Sequence, residues 1–138
     1  MSTNAPQPRR GEVWRVDFDP TVGTELRKTR PAIVLSSDSV GKLPIKLVVP
    51  VTNWKEAFAE NLWHVRIDPD CDNGLTKPSA ADTLQIRGVD TKRFVAPLGH
   101  VTPAILDEIG AAIVAIIEFE SEKLPPLQEE NGGSDTSS

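Results

Sequence analysis

Between residues 14 and 19 apolar and polar side chains alternate, with Trp14, Val16 and Phe18 interleaved with Arg15, Asp17 and Asp19. That is the period of a half-buried strand. Pro20 and Gly23 break the pattern as a hairpin loop does, and residues 32–36 then form a second, fully apolar strand. Residues 45–52 are another apolar run, bounded by Gly41 and Pro44 on one side and Asn53 on the other. A short helical turn is expected over 53–58. Residues 62–67 alternate again, placing Trp63, Val65 and Ile67 on one face and His64 on the polar one. Residues 82–87 read as a further strand that buries Leu84 and Ile86 and presents Thr83, Gln85 and Arg87 on its other face. Asp90 can cap a single turn over 91–94, and residues 94–98 and 99–101 complete the strand set.

The pattern changes period only once. From Pro103 to about Phe119, Ile105, Ile109, Ala112, Ile113 and Ile116 recur at helical spacing, with Val114 and Ile117 widening the stripe. Thr102 suits the N-cap and Pro103 the first helical position. Core packing explains the stripe, and a share in a subunit interface is a second reading. Several short strands, two single turns and one terminal helix make a β-rich α+β domain with a small, strongly curled antiparallel sheet.

Composition sets the boundaries. The chain has 138 residues, enough for one domain with a real core. Residues 1–8 and 120–138 are too polar and too rich in Ser, Gly, Pro and Glu to offset their ordering entropy. They are expected to be disordered, leaving a folded body over 9–119. The formal net charge is −5, which argues at first against a polyanionic partner. Yet residues 118–138 carry six acids and one base, the whole of that excess, so residues 1–117 are balanced. A neutral body with a local basic loop can bind a phosphate chain, with marked salt dependence. A single cysteine, Cys71, rules out an internal disulfide and fits a reducing compartment. No apolar run approaches the roughly 20 residues that span a bilayer, and no secretion signal is visible at the N-terminus. A cytoplasmic protein is expected.

Most enzyme signatures are missing: no phosphate loop ending in Gly-Lys-Ser or Gly-Lys-Thr, no Gly-x-Ser-x-Gly elbow, no His-Glu-x-x-His. Cys71 lies among Asp70, Asp72 and Asn73, a setting that discourages thiolate chemistry. Residues 68–74 resemble the start of a calcium loop, but Asn73 stands where that loop needs glycine and Ser79 where it needs glutamate, so a polar turn is expected. His64 and His100 lie on separate segments without a third ligand, which makes zinc a poor fit and leaves both as ordinary surface residues. What remains is the loop holding Glu25, Arg27, Lys28 and Arg30, with polar residues at strand ends: Ser36, Ser37, Thr52, Asn53, Gln85 and Arg87. A solvated hairpin tip would place the same charges there. Metal-free RNA cleavage also needs this inventory. A carboxylate such as Glu25 accepts the ribose 2′-hydroxyl proton, an arginine such as Arg30 holds the phosphoryl oxygens, and a hydroxyl such as Thr52 adds a hydrogen bond.

Three blocks carry a family resemblance. The first is Gly11-Glu12-Val13-Trp14 through Asp17-Phe18-Asp19-Pro20, Gly23 and Glu25, then Arg30-Pro31-Ala32 and Val34-Leu35-Ser36. The second is Val49-Pro50-Val51-Thr52. The third is Gln85-Ile86-Arg87-Gly88-Val89-Asp90, followed by Phe94 and Gly99-His100-Val101-Thr102-Pro103. In this order they resemble the MazF/PemK family of toxin endoribonucleases over nearly all of residues 10–119.

The resemblance implies a compact, partly open β-barrel with a C-terminal helix, working as a homodimer. It implies a ribosome-independent enzyme, without metal or cofactor, that cuts single-stranded RNA at short sequences. The products would be a 2′,3′-cyclic or 3′-phosphate and a 5′-hydroxyl. A cognate antitoxin would neutralise it by laying an acidic segment in the RNA groove. By position Arg30 and Thr52 match the family's catalytic arginine and threonine, and Glu25 a loop glutamate that some members use. Gln85 and Arg87 match a strand lining the RNA groove, with Arg27, Lys28 and Ser36 as further RNA-binding candidates. The chain departs from many relatives at Leu26, where they carry glutamine, and at Leu84, where they carry an acid; the target sequence is therefore left open. Two alternatives keep the fold and change the work: a CcdB-like toxin that inhibits gyrase and cleaves nothing, and a non-catalytic RNA-binding module.

Overall fold

A computed structural model describes residues 7–18, 29–40 and 43–120. They form seven strands and one α-helix: β1 (Glu12–Asp17), β2 (Thr29–Val34), β3 (Ile45–Asn53), β4 (His64–Ile67), β5 (Ser79–Asp82), β6 (Arg87–Asp90), β7 (Phe94–His100) and α1 (Pro103–Ile116). The expectations for the loop around Glu25 and for most of the two terminal segments fall on residues 19–28, 1–6 and 121–138, outside the described residues. Every strand pair is antiparallel, in the order β4-β5-β3-β2-β1-β7. The long β3 is shared: its first half pairs with β6 and its second half with β5. Two register shifts between β1 and β7 add to the twist. The expected β-rich α+β fold, a small curled antiparallel sheet with a C-terminal helix, is what the chain adopts.

Because strand side chains alternate between faces, the curled sheet buries two clusters. Val13, Ile33, Leu35, Val49, Val51, Val65, Ile67 and Ala81 pack with Ile109 and Ala112 of α1. On the opposite face Val16, Ala32, Val34, Val48, Val89 and Phe94 gather, with Trp14 and Phe18 at their margin. The alternation of Trp14, Val16 and Phe18 therefore holds, and neighbouring Val13 serves the other cluster.

Helix α1 starts as its sequence dictates, with the Thr102 hydroxyl accepting from the Ile105 amide at 3.2 Å. It ends at Ile116, short of the expected Phe119. Val114, Ile117 and Phe119 are exposed, so the stripe that enters the core is narrower than its sequence suggests. Residues 68–75 form the expected polar turn. Asp70 Oδ1 accepts from the Asp72 and Asn73 amides, and the buried Asn73 donates through Nδ2 to the Asp68 carbonyl. Gly74 has a positive φ of 72°, and a Cβ there would meet the Leu98 carbonyl, so only glycine lets this turn lie against β7.

The strand expected over 82–87 is corrected. The segment is instead the end of β5, a 3₁₀ turn over Thr83–Gln85, and the start of β6. Asp82 drives the break: its side chain accepts from the Leu84 amide at 3.1 Å, a local bond that competes with the strand ladder. Thr83 is fully buried and donates through both its amide and its hydroxyl to the Trp63 carbonyl. Leu84, expected inside, is 56% exposed.

Candidate active site

The register of the central strands assembles the site. Ala32 on β2 faces Pro50 on β3, and continuing that ladder brings Arg30 beside Thr52 on the face of the Val16–Val48 cluster. Thr52 in turn pairs with Ala80 of β5, so Asp82 stands diagonally across from it on the same face. Arg87 pairs with Val48 at the other half of β3 and so projects to this face as well. Phe18, Arg30, Pro50, Thr52, Asp82, Gln85 and Arg87 together line one cleft of about 280 Å³. The cleft is the polar continuation of an apolar core: where the valines stop, the same sheet face carries charged and hydroxyl side chains.

Of the candidates named from sequence, Arg30, Thr52, Gln85 and Arg87 thus meet in one place. Glu25, Arg27 and Lys28 lie outside the described residues. Ser36 follows the far end of β2, six residues from Arg30 or about 20 Å of extended chain, and its hydroxyl accepts from the Leu47 amide. It is not part of the cleft.

Three lining residues were missed. Phe18 was read only as a core position, yet the Arg87 guanidinium lies over its ring, 5.2 Å from the centroid. Pro50 supplies a wall. Asp82 is a strand residue, as expected, but it closes β5 and caps the turn that follows; its signal is an Asp two residues ahead of an amide it caps, with Gln85 three residues on. Behind Asp82 stands His64, its direct cross-strand partner. Expected on the surface, His64 has a side chain only 7% exposed. Its ring stacks on Phe58 at 3.8 Å, its Nδ1 lies 3.1 Å from Asn61 Nδ2, and its Nε2 lies 3.8 Å from Asp82 Oδ2. The flanking aromatic turn, Glu56–Glu60, supplies the apolar contact that a simple alternation rule omits.

The arrangement can do specific chemistry. Arg30 offers a permanent positive charge and a planar fork of donors suited to two phosphoryl oxygens. Thr52 offers a hydroxyl that donates or accepts. Phe18 and Arg87 make a stacked platform of the sort that receives an unstacked base.

The profile of the family described as "PemK-like, MazF-like toxin of type II toxin-antitoxin system" matches residues 9–117. The chain belongs to the PemK/MazF toxin family. A Mycobacterium tuberculosis protein named endoribonuclease MazF9 is 35% identical over 112 residues, spanning 76% of this chain and 92% of that protein. Endoribonuclease EndoA of Bacillus subtilis is 27% identical, spanning 80% and 97%. Among solved structures, a MazE-MazF complex from Deinococcus radiodurans superposes with a TM-score of 0.68 at 22% identity, over 82% of this chain and 97% of that one. An endoribonuclease in complex with its cognate antitoxin from a mycobacterial species gives 0.65 at 21% identity, over 83% and 98%. At such identities the superpositions speak for the PemK/MazF fold, while the profile match establishes membership. Among the described residues no helix is long and apolar enough to cross a membrane.

Proposed function

We propose that this PemK/MazF toxin is a sequence-specific endoribonuclease that cleaves single-stranded RNA through attack of the ribose 2′-hydroxyl on the adjacent phosphorus. The observation that carries the reading is the meeting of Arg30 and Thr52, from neighbouring strands, in one cleft with Gln85 and Arg87. The relatives named as endoribonucleases support it. Negative charge accumulates on the non-bridging oxygens as the 2′-oxygen bonds to phosphorus. Arg30 would hold those oxygens through two N–H bonds, and Thr52 would add a third donor. Preorganised donors of this sort supply the largest catalytic term in many enzymes. Glu25 would accept the 2′-hydroxyl proton, and the departing 5′-oxygen would take a proton from water and leave as a hydroxyl. A 2′,3′-cyclic phosphate is then the first product, and DNA does not react.

Arg87 would bind rather than catalyse, with Arg27 and Lys28 adding contacts to the RNA backbone. Losing one such phosphate contact flattens the dependence of log affinity on log salt by about 0.7 for a single strand. Arg87→Ala is therefore expected to raise KM and reduce that slope while kcat changes little, as salt titrations of binding and steady-state cleavage would register. The protein would act as a homodimer in the cytoplasm, where its free Cys71 stays reduced. A cognate antitoxin would neutralise it by covering the cleft; one structural neighbour is an endoribonuclease in complex with its cognate antitoxin and another a MazE-MazF complex. The direct test is purified protein with labelled single-stranded RNA and chelator present, followed by end-group analysis. Cut products ending in a cyclic phosphate support the reading, and RNA recovered intact under every condition rejects it.

A further inference from the structure

A carboxylate is out of place in a cleft that receives a polyanion, and Asp82 is such a carboxylate, beside Arg30 and Thr52. Phosphate oxygens cannot approach it closely, so the part of the RNA that meets Asp82 has to offer hydrogen-bond donors, which a base edge can present as a pair of N–H groups and a ribose only as a single hydroxyl. We propose that Asp82 and Gln85 together form a subsite that reads the Watson–Crick edge of a guanine next to the scissile bond. This rests on the ribonuclease reading above and adds the identity of a base to it.

Geometry supports the pairing. Asp82 and Gln85 stand at the two ends of a single 3₁₀ turn. Both line the cleft. The turn is rigid, because buried Thr83 is fastened twice to the Trp63 carbonyl, at 3.0 Å from its amide and 2.8 Å from its hydroxyl. The carboxylate is equally fixed, with Oδ1 accepting from the Leu84 amide and Oδ2 backed by His64. An ionised carboxylate has about four lone-pair positions, so both oxygens keep capacity for a ligand. The cleft, at about 280 Å³, has room for one base, with the Phe18–Arg87 pair available for stacking.

Hydrogen-bond chemistry selects the base. Guanine presents two parallel donors, N1–H and the N2 amino group, that match the two oxygens of one carboxylate. Its O6 acceptor lies on the same edge, where the amide nitrogen of Gln85 can donate to it. Adenine and cytosine each offer one amino donor beside a bare ring nitrogen, whose lone pair would face the second carboxylate oxygen. Uracil offers one N–H between two carbonyl oxygens, both repelled by Asp82. Only guanine satisfies every group.

The test uses the full chain and an RNA oligonucleotide carrying the site mapped from a long transcript. A guanine at one fixed position next to the cut is expected, and replacing it with any other standard base should lower kcat/KM by about 10- to 100-fold, the range of a bidentate base contact. Inosine, which lacks only the N2 amino group, should lose about tenfold with the unaltered protein. Asp82→Asn keeps an oxygen to cap the Leu84 amide and should cleave the guanosine and inosine substrates equally well. Cleavage that ignores guanine, or an Asp82→Asn protein that still separates guanosine from inosine, overturns the subsite and leaves the ribonuclease reading standing. No cleavage of any RNA by the unaltered protein overturns both.

Discussion

Arg30→Ala is expected to slow RNA cleavage by about two to three orders of magnitude, the usual cost of removing one preorganised transition-state donor. The side chain projects from the second residue of β2, whose register with β1 sets Val16 against Arg30. Its position is therefore held by the sheet and not by a loop. Alanine at this point leaves the ladder intact, since Arg30 is exposed and its neighbours Ala32, Ile33 and Val34 carry the packing. The loss should accordingly fall on the chemical step. Single-turnover cleavage with enzyme in excess isolates that step, and a thermal melt checks that the fold is kept. Arg30→Lys makes the argument sharper. Lysine restores the charge without the planar fork, so it should recover only part of the rate if two N–H bonds are made to the phosphoryl group. A variant without Arg30 that cuts at full speed would remove the basis of the catalytic assignment.

The strands built on strict alternation or on continuous valine and isoleucine were legible in advance. Trp14, Val16 and Phe18 share a face, and residues 45–52 are nearly the whole of β3. The Thr102 cap and Pro103 likewise locate the start of α1. Each failure has its own physical cause. At residues 82–87 the apolar pattern signals a strand, but a side chain bonding to its own backbone wins locally, and the hydrophobic period is lost with it. His64 was misplaced because face alternation says nothing of what stacks above the sheet, and here Phe58 does. The site follows the same division. Arg30, Thr52 and Arg87 could be named from motifs because each sits on a regular strand, and Gln85 because it stands two residues ahead of Arg87 in the same motif. Asp82 entered only once the 3₁₀ turn was visible, since its role depends on a three-residue spacing that a strand would place on opposite faces.

Helix α1 packs against the turn that carries Gln85, and truncating its buried anchor Ile109 is expected to give a large loss of stability. Ile109 is fully buried among Val13, Ile33, Val49, Val65 and Ile67. Truncation to alanine removes three carbons from a close-packed interior and leaves a cavity, at a typical cost of about 2–5 kcal/mol. Against a total stability of about 5–15 kcal/mol for a domain of this sort, that is a substantial fraction. The urea midpoint should fall with the slope unchanged, as expected of a change in stability alone. Ile109→Val should cost about 0.5–1.5 kcal/mol, which tests that the effect scales with the volume removed. Because α1 packs on β4 and on the turn that carries Gln85, loosening it should relax the wall of the cleft before the sheet itself unfolds. Hydrogen exchange at residues 83–86 of Ile109→Ala should then rise in native conditions, while that of β1 and β2 stays slow. A uniform rise across all strands would mean that the helix is no more tied to the turn than to the rest of the sheet.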